Sequence, residues 1–184
     1  IATSPDLLHW TKHGPVFGTE GKYGALSYKS AGIVTQLRGG RLVAAKIRGK
    51  YWMYWGEGTV RLATSMDLIH WTPVEDAQGE AVAVLAQREG RFDSSFPETG
   101  PPPVLTRYGI TVLYNGKNSP DRGDRSIGAN AYAAGEALFA KDDPAKLVER
   151  TADPVLRPEM AFEKSGQYGA GTTFAEGLVR FKNK

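Results

Sequence analysis

Two glutamates stand where acid–base chemistry can be done. Glu57 follows an aromatic run in YWMYWGEGT, and Glu98 lies 41 residues further on, in RFDSSFPETGPPPVL (91–105). Two carboxylates facing one cavity are the equipment of glycoside hydrolysis: about 6.5–9.5 Å apart they leave room for a water, and about 5–5.5 Å apart one of them attacks directly. Glu98 is flanked by Pro97 and followed by Gly100 and Pro101 to Pro103, a stiff backbone suited to displaying a side chain in a fixed direction. Five residues before it, Asp93 can bind hydroxyls or form a turn ahead of Ser94 and Ser95. The string YNGKN (114–118) gathers Tyr114, Asn115, Lys117 and Asn118, a set able to stack on a sugar face and hydrogen-bond its hydroxyls. Its Asn-Gly pair also reads as a hairpin turn. The bland reading of a Glu after a strand is a solvated loop residue.

Other strings carry less. The RGD at 122–124 lies in the polar loop SPDRGDRS, and Asp142 and Asp143 before Pro144 read as a turn start rather than a calcium loop. Glu159, Glu163 and Glu176 are spare carboxylates; Glu176, in TTFAEGLV just ahead of an expected strand, is the best placed of them.

The elements that must position these residues are announced by a repeat. Residues 1–11 read IATSPDLLHWT and residues 62–72 read LATSMDLIHWT, a return after 61 positions. That period is too long for helical hairpins and fits a propeller blade of four antiparallel strands. The run GKYWMYW (49–55) is apolar on both faces, as an inner strand would be, with Tyr51, Met53 and Trp55 on one side and Trp52 and Tyr54 on the other. YGITVLYNG (108–116) has the same character, a further strand is expected from GLVRFKNK (177–184), and AGEALFAKDDPAKLVER (134–150) reads as a strand followed by a turn or short helical segment. His9 and His70 occupy equivalent places in the two copies, which marks scaffold; Trp10 and Trp71 are expected in the core, and His13 on a loop.

The fold class is therefore all-β, a β-propeller of which residues 1–184 form a single partial catalytic domain of roughly three blades, truncated at both ends. Composition agrees with a folded chain: 41% hydrophobic and 10% aromatic residues exclude disorder. With no Cys and three His there is no thiolate nucleophile and no multi-His metal site. The charge of +3 is spread without a polybasic run, so nothing points to nucleic acid, and no apolar stretch is long enough to span a membrane. The compartment and oligomeric state are left open.

Taken together, ATSxDLxHW, FDSSFPETGPPPVLTRYGITVLYNGKN (92–118), YAAGEALFAKDDPAKLVERTADPVLRPE (132–159) and FAEGLV (174–179) resemble glycoside hydrolase family 130, the family of mannoside phosphorylases and β-1,2-mannosidases. The resemblance implies a five-bladed β-propeller acting on β-linked mannosides with inversion, with no metal or cofactor. Family phosphorylases carry a His-Arg pair after the aromatic strand, where this chain has Trp55, Gly56 and Glu57. A carboxylate there repels phosphate and suits water activation. The resemblance thus makes Glu57 and Glu98 the residues that position and deprotonate water, Asp93 a sugar-hydroxyl ligand, and Lys29 in SYKSAG a phosphate or substrate ligand. The family's proton donor is an Asp on the blade before the first ATSxDLxHW copy, so the general acid is expected outside this sequence. The leading expectation is an inverting β-mannosidase for β-1,2 linkages. The alternatives are an inverting β-mannoside phosphorylase and, from another class, a non-catalytic carbohydrate-binding propeller.

Overall fold

The computed structural model describes residues 1–166 and 168–179. Among them the chain is all-β, with a 3₁₀ turn at Ala161–Lys164 as its one helical element. A two-residue pair, β1 (Ala2–Thr3) and β2 (Thr11–Lys12), closes the first repeat copy. Four short strands follow: β3 (Ala31–Ile33), β4 (Thr35–Arg38), β5 (Arg41–Ala44) and β6 (Lys46–Ile47). Next come β7 (Lys50–Trp55), β8 (Val60–Ser65), β9 (Trp71–Pro73) and β10 (Ala83–Leu85), then β11 (Phe96–Thr99), β12 (Val104–Leu105), β13 (Ile110–Lys117), β14 (Tyr132–Ala140) and β15 (Asp143–Arg150).

These strands form two large sheets. A six-stranded one has the order β10-β8-β7-β3, with β6 beside β7 and β9 beside β8; a seven-stranded one runs β15-β14-β13-β12-β4-β5, with β11 beside β13. The β4–β12 pair is parallel, whereas the other pairs among these named strands are antiparallel. Val34 is where the chain passes from one sheet to the other. Its N–H donates to the Trp52 carbonyl on β7, and the next N–H, of Thr35, donates to the Pro103 carbonyl.

The core follows the expected strand faces. Tyr54 belongs to a cluster with Val34, Leu62, Phe92, Ile110, Val112, Tyr114 and Phe139, against which Trp52 packs. Met53 and Trp55 face the other way, into a cluster with Ala63 and Trp71 that Tyr51 also touches. Full burial of an apolar side chain of this size contributes roughly 1.5–3 kcal/mol, so β7 is anchored from both sides.

The two repeat copies build the same turn. In the second, Ser65 Oγ accepts from the Asp67 and Leu68 N–H groups, and Asp67 Oδ1 accepts from Ile69 and His70. His70 Nδ1 lies 2.7 Å from Asp67 Oδ2. Ser4, Asp6, Leu7, Leu8 and His9 repeat the pattern, with His9 Nδ1 2.7 Å from Asp6 Oδ2. This cage holds Leu7 (φ 64°) and Leu68 (φ 70°) in the left-handed region that a branched side chain resists. It also keeps both aspartates well below the ordinary carboxylate range, through hydrogen bonds from the following histidine and its neighbours. The histidines are turn parts, as their recurrence suggested.

Two expectations change, and a third falls mostly outside the described residues. Trp71 is buried, but Trp10 is 55% exposed: Trp71 lies on β9 against Met53, Trp55 and Ala63, whereas Trp10 adjoins only the two-residue β1–β2 pair. Residues 143–150 form no helix; they are the strand β15, paired with β14 along the sheet edge, and Lys141 and Asp142 make the turn. The strand expected over 177–184 falls mostly on residues 180–184, outside the described residues, and 177–179 are in no strand. Among the described residues no helix is long and apolar enough to cross a membrane.

Candidate active site

Glu57 and Glu98 meet where the two sheets touch. Glu57 follows the end of β7 after Gly56, whose φ of 107° and closeness to the Thr59 carbonyl leave no room for a side chain. Its backbone forms an antiparallel bridge with Glu98. Glu98 lies on β11, in register with Asn115 of β13. The 41-residue separation in sequence thus becomes direct adjacency between neighbouring sheets.

Lys29 joins the pair from the segment before β3. Its backbone N–H donates to Glu57 Oε1 at 2.7 Å, and its ammonium donates to Glu98 Oε2 at 3.0 Å while lying 3.7 Å from Glu57 Oε1. Ser30 secures this segment: its hydroxyl donates to the Thr99 carbonyl, and its carbonyl accepts from the Gly56 N–H. Gly32 lets β3 approach, since a Cβ there would come within 2.7 Å of Pro103 and 2.9 Å of Thr99.

The two carboxylates differ in environment. The Glu98 side chain is 3% exposed and that of Glu57 19%, whereas Lys29 reaches solvent at 71%. Burial pushes the Glu98 carboxyl above its ordinary 4.5, against the pull of the Lys29 hydrogen bond and charge, and the charges of Glu57 and Glu176 push the same way as burial. The hydrogen bond to Glu98 in turn raises the Lys29 ammonium. A carboxylate in this position can take a proton from water near neutral pH more readily than an ordinary surface Glu. A cavity of about 120 Å³ opens beside it, lined by Lys29, Ser30, Ala31, Glu98, Thr99, Gly100 and Glu176.

The remaining candidates separate. Directly opposed residues of antiparallel strands project to the same side, so Phe96, Glu98, Asn115, Lys117 and Tyr132 share one face of the β11–β13–β14 sheet. Lys117 is half-buried, its ammonium 5.7 Å from the Tyr132 ring. Asp93 is not at a surface: its side chain is fully buried and paired with Arg88 at 2.7 Å and Arg150 at 2.6 Å. The Tyr114 hydroxyl donates to the same carboxylate. Asn118, also buried, donates to the Asp124 and Ile127 carbonyls and accepts from the Asp124 N–H, organising the loop that contains the RGD string. Asn115 spends both ends of its amide on the backbone of Ala175. Asp93, Tyr114, Asn115 and Asn118, expected to meet a substrate, are each buried here with polar atoms engaged by protein groups. Their partners Arg88 and Arg150 gave no sequence signal, because the pairs form only in the fold. Tyr132 was likewise missed; its register opposite Lys117 places it on the site face.

The family model described as beta-1,4-mannooligosaccharide phosphorylase matches residues 1–183, and the chain belongs to glycoside hydrolase family 130. It is 26% identical over 167 residues to the 1,2-beta-oligomannan phosphorylase of Thermoanaerobacter sp. (strain X514), covering 90% of this chain and 46% of that protein. A solved structure from Parabacteroides distasonis ATCC 8503 superposes with a TM-score of 0.94 at 52% identity, covering 99% of this chain and 53% of that one. Another, described by the words "The GH130 family of mannoside phosphorylases contains glycoside hydrolases that target beta-1,2 mannosidic linkages in Candida mannan", gives 0.94 at 50% identity, covering 98% and 51%. The chain spans about half the length of these proteins.

Proposed function

We propose that this chain carries the water-activating half of an inverting β-mannosidase for β-1,2 linkages, within a five-bladed β-propeller of which it supplies roughly three blades. The observation that carries the reading is the Glu57–Glu98 pair, bridged through the backbone and sharing one lysine. Phosphate needs cationic or N–H donors converging on it. Among the described residues, the ammonium lining this cavity, that of Lys29, is already hydrogen-bonded to a carboxylate, an arrangement that suits a neutral nucleophile. Glu57 and Glu98 would hold a water and accept its proton as the oxygen attacks the anomeric carbon. The glycosidic C–O bond breaks on the opposite face, and the leaving oxygen takes a proton from an Asp that the family resemblance assigns to the blade before the first repeat copy. The solved structure whose description speaks of hydrolases of β-1,2 mannosidic linkages supports this branch, at 50% identity.

A phosphorylase is the second reading. The named curated relative is a phosphorylase, and the Lys29 ammonium reaches solvent. The test is product analysis with the full-length protein on β-1,2-mannobiose. Release of mannose at equal rates with and without phosphate is expected; phosphate-dependent formation of mannose 1-phosphate overturns the hydrolase reading, and saturable binding without turnover points to the carbohydrate-binding alternative. Glu57→Gln and Glu98→Gln should each lower kcat by about 10² or more with modest change in KM, and near-normal rates in both would remove them from the mechanism.

A further inference from the structure

A third carboxylate is delivered to the same cavity by a dedicated piece of the fold. Glu176 lines the cavity together with Lys29 and Glu98, although it comes from residues 174–179, which belong to no strand. Its placement comes from Asn115. That side chain is fully buried; its Nδ2 donates to the Ala175 carbonyl at 3.1 Å and its Oδ1 accepts from the Ala175 N–H at 2.8 Å. The two bonds fix the peptide on the N-terminal side of Glu176 as a strand partner would. Gly100 completes the seat: a Cβ there would stand 2.6 Å from the Ala175 carbonyl oxygen, so a residue with a side chain would displace the segment. Asn115 lies in register with Glu98, and one residue pair therefore fixes both carboxylates.

Among the described residues, the charged groups lining the cavity are Glu98, Glu176 and Lys29, and the Lys29 ammonium is already within ion-pair distance of Glu98 and of Glu57 beside it. Among the described residues no three acidic or histidine side chains are grouped as a metal ion would require. The described lining carries more carboxylates than ammonium groups, and that excess disfavours an anion. We infer that Glu176, held by Asn115, is a specificity residue that keeps oxyanions out of this cavity and leaves the nucleophile's place to water. The inference rests on the reading of this cavity as the nucleophile side of a glycosidase site.

The test is the affinity of inorganic phosphate for the full-length protein, measured by calorimetry at low ionic strength. Removing one charge about 6 Å from a bound anion, in a solvent-open cavity with an effective dielectric of about 40, between the protein-surface value and bulk water, should strengthen binding by about tenfold. Glu176→Gln is therefore expected to bind phosphate about tenfold tighter than the wild type, and Glu176→Asp, which keeps the charge, is expected to stay near it. Asn115→Ala should reproduce the glutamine effect and add little in a Glu176→Gln background. A phosphate affinity unchanged by Glu176→Gln, or altered equally by the aspartate and glutamine variants, overturns the inference. Phosphate-dependent turnover by the wild type would overturn the hydrolase reading instead, while the affinities still decide the role of Glu176.

Discussion

A carboxylate as buried as Glu98 needs a cation beside it to ionise, and Lys29 is that cation, at 3.0 Å. The lysine lowers the carboxyl pKa while burial raises it. A group acting as a base works only when deprotonated, so activity falls as pH drops through its pKa. Lys29→Met removes the lowering influence and should move the acid limb of the kcat/KM profile to higher pH; a limb that stays in place would show that Glu98 is not the titrating base. At this scale Glu57, just after an aromatic strand, and Glu98, beside stiff backbone, drew attention in the sequence, and the fold brings the two together. Nothing in the sequence signalled that Asp93, Tyr114, Asn115 and Asn118 are buried and held by protein groups. Residue type reveals that a side chain makes hydrogen bonds, not whether its partners are ligand or protein, and the partners of Asp93 lie 5 and 57 residues away.

The Asp93 network acts on elements. Arg150 comes from β15 and also donates to the Ala86 carbonyl. Arg88 also donates to the Thr151 carbonyl and the Tyr114 hydroxyl. One buried carboxylate thereby ties the segment leading into β11, and so into Glu98, to β13 and β15. Removing one partner of such a network strands the others: Asp93→Asn should destabilise the protein by about 3–5 kcal/mol, whereas replacing Asp93, Arg88 and Arg150 together by apolar residues of similar volume should cost much less. Denaturant titration of both variants checks this, and equal losses would show that the charges are not acting as a unit. The strands over 50–55 and 110–117 were legible from apolar runs with the right punctuation. β15 was not. It lies at the edge of its sheet with most of its residues exposed, so no alternation of apolar and polar residues marks it, and Asp-Pro followed by Lys, Leu, Glu and Arg reads locally as turn and helix.

For the whole molecule, the two Ser-Asp-His turns show what the 61-residue repeat holds in common: a cage around a left-handed leucine. The repeat says nothing of how the sheets are connected, and there the crossing at Val34 has a kinetic consequence. β4 finds its parallel partner at Val104, 69 residues after Thr35, so the hairpin β4–β5 is made early in the chain but docked late. Contacts of such separation slow folding and couple distant parts of the chain. Unfolding of the two large sheets should therefore be a single event: denaturation followed by tryptophan emission, which reports on the first sheet through Trp52, Trp55 and Trp71, should coincide with that followed by far-ultraviolet dichroism. Separate midpoints would show the sheets to be autonomous. During synthesis the same crossing sets a waiting time, because the β4–β5 hairpin of the seven-stranded sheet emerges from the ribosome before its partner β12 and must keep the free edge of β4 from foreign strands until residue 104 has been made.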